Sequence, residues 1–557
     1  MSTRTTLPLL ALAVASAALA ACLGDIGDGD GAFGGGSTWG GEGPGGGEAA
    51  FSPAPSRLRK LTKAQYQNSL RDLLGTPVNL AKDSVEDDGE KNGFTAIGAS
   101  FVTISPRGVE QYETAAMGLA KQVMADTARR ATFVGCNPTT PTDATCTRAF
   151  LTKFGRRAWR RQLTAAEVDR WVAIANDAQT KLTSFWEGLE IAVGGLLTSP
   201  HFLYRVELGE PDPDHAGALR YTSFEMASRL SYFLRNTTPD DTLLDAAERG
   251  ELSSTEGVKA QASRLLSSAE AKSSLDSFFA EMLHLAPLES LTRDKTKFPA
   301  MTPTLGASMK TETLKLFDDL VFDRDTDVRE LFDTNTTFVN AELANLYGVP
   351  APSGGGFAKV SLTDRLGILG HASFLSVNAH VGSSSPTYRG KAIRERFLCE
   401  SMPAPPDNVP PLPEAAPGAR ATARQRLEMH RKVEPCASCH KLMDPIGLGL
   451  ENYDAIGAFR DQENGETIDP SGDLDGKKYA GPKDLAKLLR DDPRVGPCFA
   501  RNLYRHAAGH VELPSEEPAM KTVITQFSDS GYRVKTLALA IVTSDAFRFA
   551  VPQGETP

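Results

Sequence analysis

The chain has 557 residues, of which 41% are hydrophobic and 23% are charged, a balance typical of a folded protein with several domains. Its formal net charge of −10 argues against a nucleic-acid partner, because nucleic acids attract basic surfaces. No stretch reaches about 18 consecutive apolar residues, so the sequence predicts no membrane-spanning helix.

The N-terminus has the pattern of a bacterial export signal. A positive charge precedes residues 7–20, a mostly apolar run that is too short to span a bilayer comfortably. The run ends in Leu-Ala-Ala-Cys at residues 19–22, which looks like a bacterial lipobox. Cleavage before the cysteine leaves it to carry the lipid, so we predict a lipoprotein signal peptide over residues 1–21 and lipidation of Cys22. An ordinary signal peptide cut near Ala21, with Cys22 incidental, is the alternative.

Residues 22–55 are predicted to form a flexible tether. Gly dominates most of this segment, together with Asp, Glu and Ser, and such a composition cannot bury a hydrophobic core. The tether would hold the folded body away from the membrane. The sequence therefore predicts an exported protein that is lipid-anchored in the cell envelope, on the periplasmic face or at the cell surface.

The body that follows is predicted to be mainly α and multi-domain. Thr238-Pro239 predicts a helix that Thr238 caps, with Pro at the first helical position. Apolar periodicity predicts amphipathic helices over residues 265–285 and 311–322. Capping-box sequences predict helix starts after Thr62, Thr164 and Thr222.

Strands and linkers have weaker signals than helices. No alternating β-branched run is long enough to force a large sheet, so only small hairpins are expected, near residues 338–339 or 357–360. Residues 210–215 hold two prolines among acidic residues, and residues 403–417 are rich in Pro. Both segments are predicted to be linkers, and the second should be extended.

Cys436-Ala437-Ser438-Cys439-His440 is the most informative segment of the chain. The pattern C-x-x-C-H is the attachment site of a c-type haem: each thiol forms a thioether with a haem vinyl group, and the histidine becomes an axial ligand of the iron. A thioredoxin-like pair would need a βαβ context, and a zinc site would need a second Cys/His pair nearby; the sequence offers neither. We predict one covalent haem c held by Cys436, Cys439 and His440.

The residues after the motif are expected to shape the haem environment. Asp444-Pro445 should end the helix that begins at the cysteines, because the residue before a proline disfavours helical geometry. A carbonyl near Pro445 is expected to accept the proton of the second ring nitrogen of His440. Six apolar residues are expected to cover the haem or to pack in the core, namely Ile446, Leu448, Leu450, Tyr453, Ile456 and Phe459.

The second axial ligand decides between electron transfer and catalysis. Met443 is excluded, because it lies three residues from His440 on the same side of the haem. Met402 follows Cys399 in a Pro-bounded loop, and His380 precedes a Ser-Pro-Thr-Tyr-Arg-Gly segment. We expect the distal ligand to be His380 or Met402. The other candidates are His371, His506, His510 and Met520.

Four cysteines remain once Cys22 and the haem motif are assigned. Outside the cytoplasm an even remainder suggests two disulfides. Cys136 and Cys146 enclose a short Pro/Thr loop and form the obvious local pair. Cys399 and Cys498 then pair by elimination, and this bond would join the segments before and after the haem motif.

Short motifs along the body resemble those of a known group of proteins. They are Leu61-Thr62-Lys63-Ala64-Gln65-Tyr66, Arg71-Asp72-Leu73-Leu74-Gly75, Arg157-Ala158-Trp159-Arg160-Arg161, Ser199-Pro200-His201-Phe202-Leu203-Tyr204-Arg205, Ser385-Pro386-Thr387-Tyr388-Arg389-Gly390, Met443-Asp444-Pro445-Ile446-Gly447 and Leu450-Glu451-Asn452-Tyr453-Asp454. In this order they resemble the planctomycete-type multi-domain cytochrome c lipoproteins. The resemblance implies tandem domains of unknown function with haem in the penultimate one, and it implies no particular reaction. One departure is His510, where relatives usually carry Arg.

The motifs and linkers together predict a domain order. After the signal peptide and tether come a helical N-terminal domain and a helical domain with a small disulfide loop. A further helical domain, a haem-c-binding domain and a C-terminal helical domain follow. These five predicted domains span residues 56–130, 131–209, 216–350, 357–475 and 476–550.

The sequence favours one-electron transfer, in which a haem with both axial positions filled exchanges electrons with an unknown redox partner. One alternative is a haem enzyme, such as a peroxidase or oxidase, with an open iron position. Another is a surface binding protein, for polysaccharide for example, in which haem is a redox adjunct. The large body before the haem motif argues against a minimal electron shuttle, yet it shows no Ser/His/Asp order and no phosphate-binding loop.

Overall fold

The computed structural model describes residues 51–75, 80–81, 84–402, 420–432 and 436–554. The predicted signal peptide, Cys22, the tether as far as residue 50 and the Pro-rich segment 403–417 lie outside these residues. No helix in the described part of the chain is long and apolar enough to cross a bilayer. The fold is mainly α with short strands, as predicted.

The N-terminal part is a bundle of helices closed by a two-stranded sheet. Its first and last strands pair antiparallel, with Arg57 opposite Glu207, so the two ends of the bundle meet. The capping boxes at Thr62 and Thr164 form as predicted, each with its side chain accepting from the backbone three residues later. The elements are β1 (Arg57–Lys60), α1 (Lys63–Leu74), α2 (Thr95–Gly98), α3 (Pro106–Ala125), α4 (Arg130–Val134), α5 (Ala144–Trp159), α6 (Ala165–Leu182), α7 (Phe185–Thr198), α8 (Pro200–Leu203) and β2 (Tyr204–Glu207).

The next part begins with strands where the sequence predicted a linker. Residues 210–215 are not a free linker, because Glu210–Pro211 pairs with Leu219–Arg220, and the last strand of the chain joins the same sheet. Helices then follow, and Thr222 caps the first of them as predicted. The elements are β3 (Glu210–Pro211), β4 (Leu219–Arg220), α9 (Ser223–Leu234), α10 (Asp241–Glu248), α11 (Thr255–Leu266), α12 (Ala269–Met282), α13 (Leu305–Asp318) and α14 (Glu330–Asp333).

Two helix predictions in this part are wrong in detail. Asp240, not Thr238, caps α10, because its carboxylate accepts from the Leu243 N–H while the Thr238 hydroxyl donates to the Arg157 carbonyl. The helix predicted over residues 265–285 is divided between α11 and α12. The break falls at two serines, and Ser268 caps the second helix, since serine favours caps over helix interiors.

The two segments predicted as hairpins form one ladder with each other. Phe338 lies opposite Lys359 in an antiparallel pair, and a helix occupies the connection between the two strands. The periodicity over residues 311–322 is confirmed as the second half of α13, which continues in a π-helical turn to Asp323. The elements are β5 (Thr336–Val339), α15 (Ala341–Tyr347), β6 (Ala358–Ser361), α16 (Gly367–Gly370) and α17 (Ala372–Val377).

The remaining part holds the C-x-x-C-H motif and the C-terminal helices. Both predicted disulfides are confirmed: Cys136 pairs with Cys146, and Cys399 pairs with Cys498. The elements are α18 (Pro386–Phe397), α19 (Ala423–His430), α20 (Cys436–Gly447), β7 (Gln462–Glu463), β8 (Glu466–Thr467), β9 (Gly472–Leu474), β10 (Lys477–Tyr479), α21 (Pro482–Arg490), α22 (Val495–Ala508), α23 (Glu517–Asp529), α24 (Val534–Thr543), α25 (Asp545–Arg548) and β11 (Phe549–Ala550).

Two hydrophobic cores organise these elements. One core is built from residues 61–203 together with Tyr232, which reaches in from α9. The other collects apolar side chains from residues 221–550, with Phe51, Phe94 and Ile97 added from the N-terminal part. The helix that carries Cys436 and Cys439 therefore packs into the larger core through its second half and not through its first turn.

Candidate haem site

Helices α18 and α20 form the frame of the site, and two glycines allow their close contact. A Cβ at Gly390 would collide with the Met443 carbonyl, and a Cβ at Gly447 would collide with the Pro386 carbonyl. Each glycine lies on one helix and meets the backbone of the other. The Ser-Pro-Thr-Tyr-Arg-Gly and Met-Asp-Pro-Ile-Gly motifs are therefore the two halves of one helix pair.

Two buried arginines of α18 bond the backbone of α20 and of the chain that follows it. Arg389 is fully buried and donates to the carbonyls of Leu450 and Tyr453, both at 2.8 Å. Arg394 donates to the Leu442 carbonyl at 2.7 Å. Arg389 thus satisfies several carbonyls of the chain after α20, while Arg394 bonds one carbonyl of α20 and the carboxylates of Glu400 and Asp475. Together they hold α20 and the chain after it in one position against α18.

The two motif thiols lie one turn apart on α20. Cys436 and Cys439 are partly exposed and are not in a disulfide, while the other four cysteines of the described chain are paired. Ala437 between them is buried and faces the protein. Both motif cysteines thus lie on the first turn of α20, outside disulfides and only partly buried.

The His440 ring is oriented by a carboxylate, not by a carbonyl. Its Nδ1 lies 2.9 Å from Asp444 Oδ2, one helical turn ahead, and the Asp444 side chain is 0% exposed. The Thr387 hydroxyl donates to the other oxygen, Oδ1, at 2.8 Å. The expectation of a carbonyl partner near Pro445 is wrong, because the i, i+4 spacing brings the carboxylate to the ring first.

This hydrogen bond has an electrostatic consequence for the ring. It raises the pKa of the His440 imidazole above its ordinary value, and this outweighs the opposing effect of partial burial. Because Asp444 bonds Nδ1, Nε2 is the ring nitrogen that would hold a metal.

The helix also continues beyond its predicted end. Pro445 lies inside α20, which ends at Gly447 and passes into a 3₁₀ turn at Leu448–Leu450. The Tyr479 hydroxyl donates to the Pro445 carbonyl at 2.7 Å and to the Ile446 carbonyl at 2.8 Å, so the last turn is held from outside. Tertiary hydrogen bonds and packing on α18 here override the local preference of the residue before proline.

The six apolar residues after the motif divide into two groups. Phe459 is 60% exposed, whereas the other five are buried, and all of these except Leu448 belong to the larger hydrophobic core. Three other large apolar side chains of this part of the chain are exposed, namely Val381, Tyr388 and Leu442, and Leu442 lies on α20 itself.

The two predicted distal ligands, His380 and Met402, differ in their exposure and in their contacts with the elements of the site. His380 is exposed on a tight loop closed by the Ala379–Ser384 bridge, and its ring packs on Tyr388 with centroids 4.8 Å apart. Tyr388 is the neighbour of Thr387, which bonds Asp444. Met402 is partly buried, three residues after the Cys399 disulfide.

The other candidates have partners elsewhere in the fold. His371 is buried beside Thr313 and Thr337, and His506 lies 3.3 Å from Glu281. His510 contacts Glu516 at 3.0 Å. Met520 is fully buried in the larger core.

The donor set fits a c-type haem better than a bare metal ion. Two thiols outside disulfides and an adjacent histidine with an oriented ring are the three groups that covalent attachment and axial ligation use. In the described part of the chain, no group of three His, Cys, Asp or Glu side chains is placed to hold a metal ion.

A separate concave surface lies between residues 347–365 and residues 452–484. This cleft of about 610 Å³ is lined by Tyr347, Asp364, Arg365, Phe459 and Lys483, among others. Its charged residues are of both signs, and Lys483 lies 3.7 Å from Asp364. Nothing in its lining selects one class of ligand.

Sequence reasoning missed two members of the site. Asp444 was considered only as a helix terminator, although its i+4 spacing from His440 on one helix is a readable signal. Thr387 had no such signal, because its contact with Asp444 joins residues 57 positions apart.

Five family models match the chain in tandem, and each describes a protein of unknown function. They are DUF1587 at residues 59–125, DUF1595 at 146–207, DUF1592 at 221–349, DUF1588 at 365–463 and DUF1585 at 475–547. The C-x-x-C-H motif lies within the DUF1588 match. No curated protein and no solved structure shows significant similarity to the chain. The five tandem matches are the planctomycete-type cytochrome c multi-domain arrangement, and the chain belongs to that family.

Proposed function

We propose that this protein is an exported, membrane-tethered c-type haem protein that transfers single electrons. The observation that carries the proposal is the first turn of α20, where Cys436 and Cys439 lie outside any disulfide and His440 follows with its ring fixed by Asp444. In a chain whose other described cysteines are paired, two partly exposed thiols one turn apart call for a covalent partner.

Each residue of the site has a defined task in this proposal. Cys436 and Cys439 would hold haem c through thioethers, and His440 would supply a ligand to its iron through Nε2. The bound group supplies one-electron iron chemistry. Asp444 keeps the ring in one tautomer and one orientation, and Arg394 keeps α20 in place through the Leu442 carbonyl.

A filled second axial position suits electron transfer, because the site then admits no substrate and rearranges little. We propose that His380 or Met402 fills it. His380 has the better structural support, since its ring is exposed and contacts Tyr388, which lies next to Thr387 of the site. A methionine ligand would give a higher reduction potential than a second histidine.

The two disulfides indicate an oxidising location, extracellular or periplasmic. The lipid anchor at Cys22 is the finer proposal, supported by the lipobox-like residues 19–22. A Cys22→Ala variant should leave the membrane fraction, and the mass of its wild-type counterpart should include the lipid. Wild-type protein that is soluble and unlipidated would contradict the anchor.

Covalent haem is tested by heme staining of a denaturing gel. The wild-type band should stain, and the Cys436→Ala/Cys439→Ala variant should not, because both thioethers are lost. The Cys136→Ala/Cys146→Ala variant is the matched control, since it removes two cysteines outside the motif and should still stain. A wild-type band without stain would refute the proposal.

A haem enzyme is the second candidate, and Asp444 is the observation that favours it. A carboxylate bonded to an axial histidine makes the ligand more electron-rich, which suits a haem that activates a bound oxidant. Optical spectra with and without carbon monoxide separate the two functions. Low-spin haem that does not bind carbon monoxide supports electron transfer, whereas high-spin haem that binds it readily supports the enzyme.

A further inference from the structure

We propose that Asp444 is a positioning residue that makes His440 an electron-rich ligand and thereby lowers the reduction potential of the bound haem. This inference rests on the proposed function and adds to it the sign and the origin of the potential. It concerns a three-residue relay in which Thr387 donates to Asp444 and Asp444 accepts from His440.

The relay is fixed by contacts to both carboxylate oxygens. Oδ2 lies 2.9 Å from His440 Nδ1, and Oδ1 accepts from the Thr387 hydroxyl at 2.8 Å. The Asp444 side chain is 0% exposed, while the His440 side chain is 21% exposed. The carboxylate therefore has one orientation and is screened from water, and the ring lies between it and the surface.

The charge of the partner distinguishes this ligand from one bonded to a carbonyl. A carbonyl is a neutral acceptor, whereas Asp444 places an anion on the side of the ring opposite Nε2. Reduction adds one electron to the iron and breaks no bond at the histidine. A fixed negative charge in a dry surrounding disfavours the added electron, so the oxidised form is stabilised.

Thr387 moderates the carboxylate. Its hydroxyl withdraws electron density from Oδ1, so part of the anionic character is directed away from His440. Thr387 lies in the first turn of α18, on the helix whose Gly390 contacts the Met443 carbonyl. The close packing of α18 on α20 therefore also fixes the position of the Thr387 hydroxyl that donates to Asp444.

The test is a potentiometric titration of the full-length holoprotein, followed by its haem absorbance, with a ferric EPR spectrum as a second readout. Asp444→Asn keeps an acceptor for Nδ1 but removes the charge, so the midpoint potential should rise and the g-value spread should change. Thr387→Val removes the moderating donor, so the potential should fall. Glu395→Gln is the control, because Glu395 lies on α18 and pairs with Lys391 rather than with the site.

The outcomes separate this inference from the proposed function. A wild-type protein without haem sinks the proposed function itself. Haem-loaded Asp444→Asn with the potential and EPR spectrum of the wild type overturns only the role of Asp444, as does an equal shift in Glu395→Gln. If Asp444→Asn does not accumulate, Thr387→Val decides, since a potential that does not fall also overturns the proposal.

Discussion

His440 and His371 each have a carboxylate nearby, yet their surroundings act on them in opposite directions. His440 is partly exposed and bonds Asp444 directly, and that hydrogen bond raises its pKa. His371 is fully buried, 3.7 Å from Glu312, and burial lowers its pKa. The comparison shows that direct hydrogen bonding dominates at the surface helix, whereas desolvation dominates in the core.

The partners of the two rings explain the difference. The Thr337 hydroxyl lies 3.1 Å from His371 Nε2 and donates to Glu312 at 2.6 Å, so a neutral group separates the ring from the carboxylate. Thr313 lies 3.1 Å from the other ring nitrogen. Both nitrogens of His371 are thereby bonded to hydroxyl groups within the core, while at His440 the partner of Nδ1 is the carboxylate itself.

Replacing each histidine gives the largest expected contrast. His440→Ala should lose the low-spin haem spectrum, because the axial nitrogen is gone, whereas His371→Gln should keep that spectrum and lose only thermal stability. Absorbance spectra of the two purified variants provide the measurement. A wild-type spectrum in His440→Ala would contradict the prediction that His440 is a haem ligand.

The disulfide next to α18 should matter more than the local one. Cys399–Cys498 closes a separation of 99 residues and Cys136–Cys146 one of 10, so chain entropy predicts losses of about 4–5 and about 3 kcal/mol respectively. Removal of the Cys399–Cys498 bond should also change the haem spectrum, because Cys399 directly follows α18, the helix that carries Thr387. Urea denaturation of both double Cys→Ala variants measures the stability losses, and absorbance measures the haem environment. An altered spectrum only in the Cys136/Cys146 variant would contradict the prediction that Cys399–Cys498 is the disulfide that affects the haem.

The two carboxylates should differ in their importance for folding. Glu312 is 0% exposed and accepts from Thr337 and Tyr347, both at 2.6 Å. Glu312→Gln presents an amide to donors and should lower the free energy of unfolding by about 2–4 kcal/mol. Asp444→Asn retains an acceptor for His440, and its loss should stay near about 1 kcal/mol. Comparable losses for the two variants in urea denaturation would show that the Asp444 pair is also structural.

The smallest effect is the pH dependence that His371 adds to stability. Its pKa is lower in the folded protein than in the unfolded chain, so the unfolded chain binds the proton first as the pH falls below about 6.5. Stability should therefore decrease on acidification, by at most about 1.4 kcal/mol per pH unit. The groups facing the ring are Glu312, which opposes the lowered pKa, and Arg365, which adds to it.

Melting temperatures at pH 5 and pH 7.5 measure this contribution. His371→Gln should show a smaller drop between the two pH values than the wild type, because the titrating group is absent. Equal drops in both proteins would mean that His371 is protonated in the folded state or does not couple to folding.

Predictions from local sequence succeeded where the physical signal is local. The capping boxes at Thr62, Thr164 and Thr222 form because the interacting groups are three residues apart. The disulfides were predicted by counting cysteines in an oxidising compartment. The prediction at Asp444-Pro445 failed because Tyr479, 34 residues away, holds the last turn of α20.

The sequence by itself determined the mainly helical class, the cysteine pairing and the presence of a C-x-x-C-H motif, since composition, short-range spacing and parity carry that information. Only the tertiary structure decided that Asp444 and Thr387 orient His440, that Arg389 clamps the chain after α20, and that His371 is buried among hydroxyl groups. These features depend on contacts between residues that are far apart in sequence, and such contacts leave no periodic pattern in a single sequence.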